Sequence, residues 1–249
     1  MSTPTTIGQP GHLTWLGHAT VLFVSQAGTR VIFDPWLDNP KGTATLAEVG
    51  ALDVIAVTHG HFDHMASVIP LAMATGASVI CVPEMAAYFS SQGVTSVMEM
   101  NKGGTVRLKE LSFTMVSADH SCGVNVGEGT VNAYGGNPVG FVVTPPPGSG
   151  APFYVSGDTN VFGDMALIGE LYGPELALVP IDGHYNMGPR EAAHAMGLLG
   201  VRRVAPIHYG TFPLLAGTPG QLREALEEKG ASTSVVDVSP GESVALAQQ

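Results

Sequence analysis

The sequence predicts an α/β chain of two mixed sheets packed face to face, with helices outside. Short β-branched and apolar runs open each half of the 249 residues, and strand–helix alternation follows in both halves. No low-complexity linker separates the halves, so residues 1–249 are expected to form a single domain.

Leu13–Leu16, Val21–Val24 and Val31–Phe33 read as short strands, parted by turns at Gly17-His18 and Gln26-Ala27-Gly28. Val54–Val57 is almost wholly apolar and β-branched, which suits a strand buried on both faces. A helix after His64, a strand at 78–82 and a helix from about Pro83-Glu84 follow. Val106–Leu108 and Leu111–Val116 suggest a hairpin running into Asp119-His120, still within the first half. In the second half, Val139–Thr144 and Phe153–Ser156 flank the turn 145–150. Helix 161–171, strand 176–181, helix 189–199, strand 203–207, helix 219–229 and strand 234–238 complete the reading.

Charged residues make up 12% of the chain, hydrophobic residues 45%, and there are 32 glycines. That composition describes a compact enzyme with many tight turns, and excludes a disordered or coiled-coil protein. The net charge is −11 and the longest basic cluster is Arg202-Arg203, so no nucleic-acid partner is expected. No apolar run is long enough to span a membrane, and Met1–Thr6 lacks the basic and apolar regions of a leader. The expectation is a cytoplasmic protein acting on a small molecule, with homo-oligomerisation left open. Cys81 lies in a strand-like run and reads as a buried hydrophobe. Cys122 follows His120 by two residues and reads as an ordinary loop thiol or a group near a metal. A single pair of cysteines makes no disulfide framework.

The chemistry concentrates at Val57-Thr58-His59-Gly60-His61-Phe62-Asp63-His64, directly after an apolar run. Three imidazoles and a carboxylate suit zinc or a similar divalent ion. One ion cannot take all four from so short a segment and keep an open position. The spacing therefore suggests two ions, with His59 and His61 on one and Asp63 and His64 on the other. His120, Asp158 and His208 each follow a predicted strand, where α/β folds gather their site residues. With them the set reaches seven donors, enough for two ions sharing one carboxylate.

At this point a resemblance becomes specific. The chain resembles the metallo-β-lactamase superfamily, and within it the metal-dependent hydrolases related to L-ascorbate-6-phosphate lactonase. The likeness runs from about His12 to Ala245, through Leu16-Gly17-His18-Ala19, Phe33-Asp34-Pro35 and Thr58–His64. It continues through Asp119-His120-Ser121, Gly157-Asp158-Thr159, Met187-Gly188-Pro189 and His208–Pro213. It implies an αββα four-layer sandwich. It also implies that His59, His61 and His120 bind a first metal and Asp63, His64 and His208 a second, bridged by Asp158. The Gly-rich stretch 123–137 and Pro145-Pro146-Pro147 match no family role.

A water shared by two divalent ions would lose its proton near neutral pH and attack a polarised ester, lactone or amide carbonyl. Zinc suits the imidazoles best, and manganese or iron(II) also fits an N/O site. Asp63 counts both as a ligand and as a catalytic carboxylate. His184, on a Gly-flanked loop after strand 176–181, is the candidate proton donor. Asp34 is expected to orient a ligand imidazole, and His18 and Tyr209 to do likewise or to contact substrate. Loops 38–47, 121–137 and 210–218 would set specificity. A small-molecule phosphodiesterase is the second reading, and a non-catalytic metal-binding protein the third.

Overall fold

β1 (His12–Trp15), β2 (Val21–Val24) and β3 (Arg30–Phe33) form an antiparallel meander. These positions come from a computed structural model, which describes residues 7–125 and 132–246. The short α1 (Leu46–Val49), closed by a Thr45–Glu48 capping box, leads to β4 (Val54–Ala56), which joins β3 in parallel. α2 (Phe62–Met65) and α3 (Val68–Thr75) precede β5 (Ser78–Cys81), and α4 (Pro83–Ser91) precedes β6 (Val97–Glu99).

The chain then changes sheets. β7 (Thr105–Leu108) and β8 (Leu111–Ser117) form the expected hairpin, and β9 (Gly123–Asn125) pairs with β10 (Asn132–Tyr134) as a separate ribbon. β11 (Val139–Thr144) and β12 (Phe153–Val155) are joined by the triple-proline turn, in which the Ser149 hydroxyl donates to the Pro146 carbonyl at 2.7 Å. α5 (Met165–Tyr172), β13 (Leu176–Pro180), α6 (Pro189–Leu199), β14 (Arg203–Ile207), α7 (Pro219–Glu228), β15 (Ser234–Val235) and β16 (Ser243–Ala245) follow.

One seven-stranded sheet runs β16-β1-β2-β3-β4-β5-β6, and the other β15-β14-β13-β12-β11-β8-β7. The hairpin β7–β8 therefore belongs to the second sheet, not to the first half. Its longer strand pairs with β11 from Val139↔Ser117 to Thr144↔Ser112, a register that closes only at long range. β16 crosses back to the edge of the first sheet against β1. The expected strand over 234–238 is shorter in the structure: only Ser234 and Val235 pair, with Arg203 and Val204 of β14, and the Val236 N–H donates to the Val204 carbonyl as the chain leaves the sheet. Part of the Gly-rich stretch, 126–131, lies outside the described residues.

The core follows from two-residue periodicity with both faces of the second sheet covered. Phe153 and Val155 of β12, with Leu176 and Leu178 of β13, face the first sheet. Tyr154, Ala177 and Val179 between them face α5, α6 and α7 through Met165, Met196 and Leu222. Between the sheets, Phe153 meets Phe23 edge-on at 4.9 Å and Phe33 at 6.1 Å. That interface aligns the carboxyl-terminal ends of parallel strands from both sheets along one edge of the sandwich.

Candidate metal centre

Parallel pairing places the site residues. β3 and β4 run side by side, so Asp34 and Thr58 leave neighbouring strand ends. The Thr58 backbone N–H donates to Asp34 Oδ1 at 2.8 Å, and its hydroxyl donates to Asp34 Oδ2 at 2.7 Å. In the second sheet β12, β13 and β14 are parallel neighbours, and Asp158, Asp182 and His208 follow them. The two edges are tied by Val139 N–H to the Thr58 carbonyl at 3.0 Å and His208 N–H to the His18 carbonyl at 2.9 Å. Gly157 sits so close to Thr58 that a Cβ there would lie 2.6 Å from the threonine side chain, at φ +61°.

Among the described non-glycine residues only four have positive φ, and three of them are His18, Asp34 and His208. Left-handed backbone at a histidine or aspartate costs energy, and such strain gathers where side chains must be aimed.

Three groups of donors have all their ligand atoms within 4.8 Å of one another; in one of them, Asp34, His59 and His64, the Asp34 carboxylate is taken up by Thr58 and His64 Nδ1, which leaves two that face the cavity side. One holds His59, His61 and His120; the other holds His18, Asp63, His64 and His208. His59 Nε2 and His61 Nδ1 face each other at 2.9 Å. The outer nitrogens are held from behind. The Thr58 hydroxyl, already donating to Asp34, can only accept from His59 Nδ1–H, 3.1 Å away, which leaves the Nε2 lone pair facing inward. His64 Nδ1 lies 2.9 Å from Asp34 Oδ2, His208 Nδ1 3.1 Å from Asp182 Oδ2, and His61 Nε2 3.3 Å from Ser121 Oγ. Asp158 stands between, with Oδ1 3.2 Å from His64 Nε2 and Oδ2 3.2 Å from His208 Nε2 and 3.7 Å from His120 Nε2.

Burial lowers the basicity of His59, His61 and His120, aided by the imidazoles around them, so that group offers neutral lone pairs. The other group carries the opposite balance. Burial opposes a charge on His64, yet Asp158, Asp34 and Asp63 outweigh it and push its pKa up to about 10. His208 is raised well above its usual value in the same way, by Asp158, Asp182 and Asp63 against burial. Burial resists the charge of Asp63 and Asp158 too, and the surrounding histidines hold both carboxyls below the ordinary range. Buried carboxylates therefore demand positive charge at this spot. His18 is instead pushed down to about 4, chiefly by burial, with His208 and His64 also opposing its charge.

Whether these residues fit divalent cations is decided by three atoms. His64 Nε2, His208 Nε2 and Asp158 Oδ1 are buried and make no hydrogen bond among the described residues, and His208 Nδ1, 3.1 Å from Asp182 Oδ2, faces that carboxylate without hydrogen-bond geometry. Orphaned buried polar atoms are costly, and three on one point suit a missing coordination partner. The cluster can bind metal. It opens into a cavity of about 520 Å³ whose wall includes His18, His61, Asp63, His120, Asp158 and His208.

Not every sequence-predicted residue reaches that wall. Tyr209 stacks on Trp15 at 5.2 Å between centroids, with the Lys41 ammonium over its ring, and does not line the cavity. His184 is exposed and packs edge-on against Tyr185; it is Tyr185, not His184, that lines the cavity. His18 goes further than expected, because Nε2 lies 2.9 Å from Asp63 Oδ2 among the second group of donors. Asp182 was not anticipated. Its Asp-Gly-His sequence reads as a plain turn, and its contact with His208 appears only once β13 and β14 are paired. Cys81 and Cys122 are free thiols; the latter accepts from Gly60 N–H at 3.3 Å and donates to the Gly135 carbonyl at 3.1 Å.

Two seven-stranded sheets with helices outside, carrying a His/Asp cluster on one edge, define a metallohydrolase of the αββα sandwich class. A profile described as the beta-lactamase superfamily domain matches residues 29–209, and the chain belongs to this metallo-β-lactamase superfamily. A UPF0173 metal-dependent hydrolase from Rubrobacter xylanophilus is 48% identical over 92% of this chain and 94% of its own. Another from Methanosarcina mazei is 43% identical over 94% and 98%. The solved structure of Igni18, a metallo hydrolase from Ignicoccus hospitalis, superposes with a TM-score of 0.84 at 30% identity, covering 96% of this chain and 99% of its own. The chain is thus a metal-dependent hydrolase.

Proposed function

We propose that this protein hydrolyses an ester, lactone or amide bond of a small molecule at a centre of two divalent cations, for which zinc fits best. His59, His61 and His120 would hold one cation, and Asp63, His64 and His208 the other, with Asp158 between them. The observation that carries this reading is the convergence of His64 Nε2 and His208 Nε2 on Asp158, each 3.2 Å from one of its oxygens, with both nitrogens and Asp158 Oδ1 buried and without hydrogen bonds; Asp158 and His208 line the cavity and His64 lies behind them. When bound, such cations lower the pKa of water towards neutrality and polarise a substrate carbonyl. Everything else falls to the chain. Asp34, Thr58, Asp182 and Ser121 hold the imidazoles in the orientation that keeps their lone pairs inward. Asp63, partly open to the cavity, pairs with His18 Nε2 at 2.9 Å and, as an ionised carboxylate, would accept a hydrogen bond from the attacking water. No helix of the described residues is long and apolar enough to cross a membrane; we place the enzyme in the cytoplasm, with no nucleic-acid partner.

The test is elemental analysis of zinc-loaded protein beside its Asp158→Asn variant, with turnover measured on lactones, esters, amides and phosphodiesters. We expect two ions per chain, and in Asp158→Asn the loss of one ion or of most activity with an unchanged circular dichroism spectrum. A single ion in the unaltered protein, or two ions and normal turnover in Asp158→Asn, overturns the two-cation centre. Cleavage confined to phosphodiesters overturns the bond class.

A further inference from the structure

Beyond the donors, Ser121 and Gly123, the cavity wall is built of large apolar and aromatic side chains. Phe62 comes from α2, between His61 and Asp63; Tyr185 from the loop after β13; Phe212, Leu214 and Leu215 from the loop after β14. Trp36 backs them, edge-on to Phe62 at 5.4 Å and stacked with Phe212 at 6.3 Å. Nine large hydrophobic side chains are exposed among the described residues, and four of them, Phe62, Tyr185, Phe212 and Leu214, ring this one cavity. Such clustering around a polar floor marks a binding surface rather than incidental exposure.

Charge points the same way. None of the ten lysines and arginines lines the cavity. The one on the loop side, Lys41, is spent on the Tyr209 carbonyl at 3.1 Å and on the Tyr209 ring, facing a different depression. The sequence of 126–131, Val-Gly-Glu-Gly-Thr-Val, contains no basic residue either. An anionic group held away from the cations would therefore have no lysine or arginine to meet it, on a chain of net charge −11.

We infer that the substrate has an uncharged, largely apolar body, an aryl or alkyl group of about one ring in size, on the far side of the bond that is cleaved. The inference rests on the two-cation reading of the floor and names the substrate class for it. A phosphorylated sugar lactone, the kind of molecule the sequence resemblance suggests, does not meet this description. The apolar ring would grip the body by burial alone, while the donors on the floor set the reacting end.

Matched hydroxamates separate head from tail. 3-Phenylpropanohydroxamate and its counterpart bearing a distal phosphonate share a metal-seeking head and differ only in the group presented to the ring of apolar side chains. Binding to the zinc-loaded protein is read by calorimetry and by Trp36 fluorescence. The phenyl tail should bind roughly 10- to 100-fold more tightly, the worth of burying about one ring after ordering it. Phe212→Ala should shrink that ratio, and Leu214→Lys should turn it towards the phosphonate. Equal or tighter binding of the phosphonate tail by the unaltered protein overturns the inference. If neither hydroxamate binds, the two-cation reading falls instead. 3-Phenylpropanol against 3-phosphonopropanol, followed by NMR line broadening, then decides the tail preference by itself.

Discussion

His18 and His184 both lie in Gly-flanked turns, and their surroundings give them opposite prospects. His18 is fully buried, with Nδ1 2.9 Å from the Thr211 hydroxyl and Nε2 2.9 Å from Asp63 Oδ2. With Nε2–H donated to the ionised Asp63 and Nδ1 accepting from the Thr211 hydroxyl, His18 fixes the carboxylate proposed to hold the second cation. His18→Ala should therefore weaken binding of one of two ions by about 10- to 100-fold, read by competition with a chromophoric chelator. Unchanged affinity for both ions would show that Asp63 needs no such fixing. His184 is exposed and outside the cavity wall. His184→Ala should leave metal content intact and lower kcat/KM by less than about tenfold, short of the 10²–10⁴-fold of a lost general acid. A loss in the larger range, on a substrate with a poor leaving group, would show that the 183–186 loop turns His184 inward. Nothing in the local sequence separates these two histidines, because burial is a property of the packed chain.

Among the elements, β13 and the loop after it link the second group of donors to the cavity mouth. Asp182 Oδ1 accepts from the backbone N–H groups of His184 and Tyr185, each at 2.8 Å, while Oδ2 lies 3.1 Å from His208 Nδ1. One carboxylate thus fixes both a ligand imidazole and the loop that presents Tyr185. Asp182→Asn keeps the size but loses the charge that pairs with His208. It should weaken metal binding 10- to 100-fold and raise KM as well, whereas a purely structural Asp182 would move Tm alone. At the sheet interface, Phe153→Ala should destabilise the fold by about 3–5 kcal/mol in a denaturant titration, since Phe23 and Phe33 cannot collapse across rigid strands into the space left. A cost under about 1 kcal/mol would show the interface to be loosely packed. α6 and β14 were legible to the residue, because Pro189 and Gly200 punctuate the helix and the strand is a continuous apolar run. β6, β9, β10 and β16 were not, since each mixes a polar residue or glycine into three positions, unlike the equally short but wholly apolar or aromatic β4 and β12.

The balance of charge across the whole molecule makes stability and metal binding respond to pH. In chelator-stripped protein His64 titrates near 10, above its unfolded value of about 6.5. Its contribution to stability is complete below about pH 6.5 and is lost as pH rises towards 10. His208 acts in the same direction. His18, lowered to about 4, works oppositely: its contribution is present above about pH 6.5 and lost as pH falls through 4. The stripped protein should therefore have its highest Tm near pH 6.5 and lose Tm on both sides. If zinc is held by His64 and His208 as proposed, it would replace their protons, so the loaded protein should not lose Tm between pH 6.5 and 9, and zinc affinity should rise with pH there. Scanning fluorimetry with and without chelator checks both; a stripped protein that gains Tm from pH 6.5 to 9 would contradict the charge balance drawn for His64.

The segment at the heart of the candidate site, and the three residues proposed to join it, could be picked out from sequence because they depend on residue type and local spacing. His59, His61, Asp63 and His64 are adjacent in the chain, and His120, Asp158 and His208 each follow a recognisable strand or its extension. The same short-range signals marked most strands and helices. Tertiary structure alone decided the rest. It assigned β7 and β8 to the second sheet, brought His18 to Asp63 across 45 positions, and set Asp182 behind His208. It also gathered Phe62, Tyr185, Phe212 and Leu214 from three separate loops and helices around one opening. Each of these depends on strand pairing over long range, where contact is fixed by register and by the packing of two sheets, and no short window of sequence contains that information.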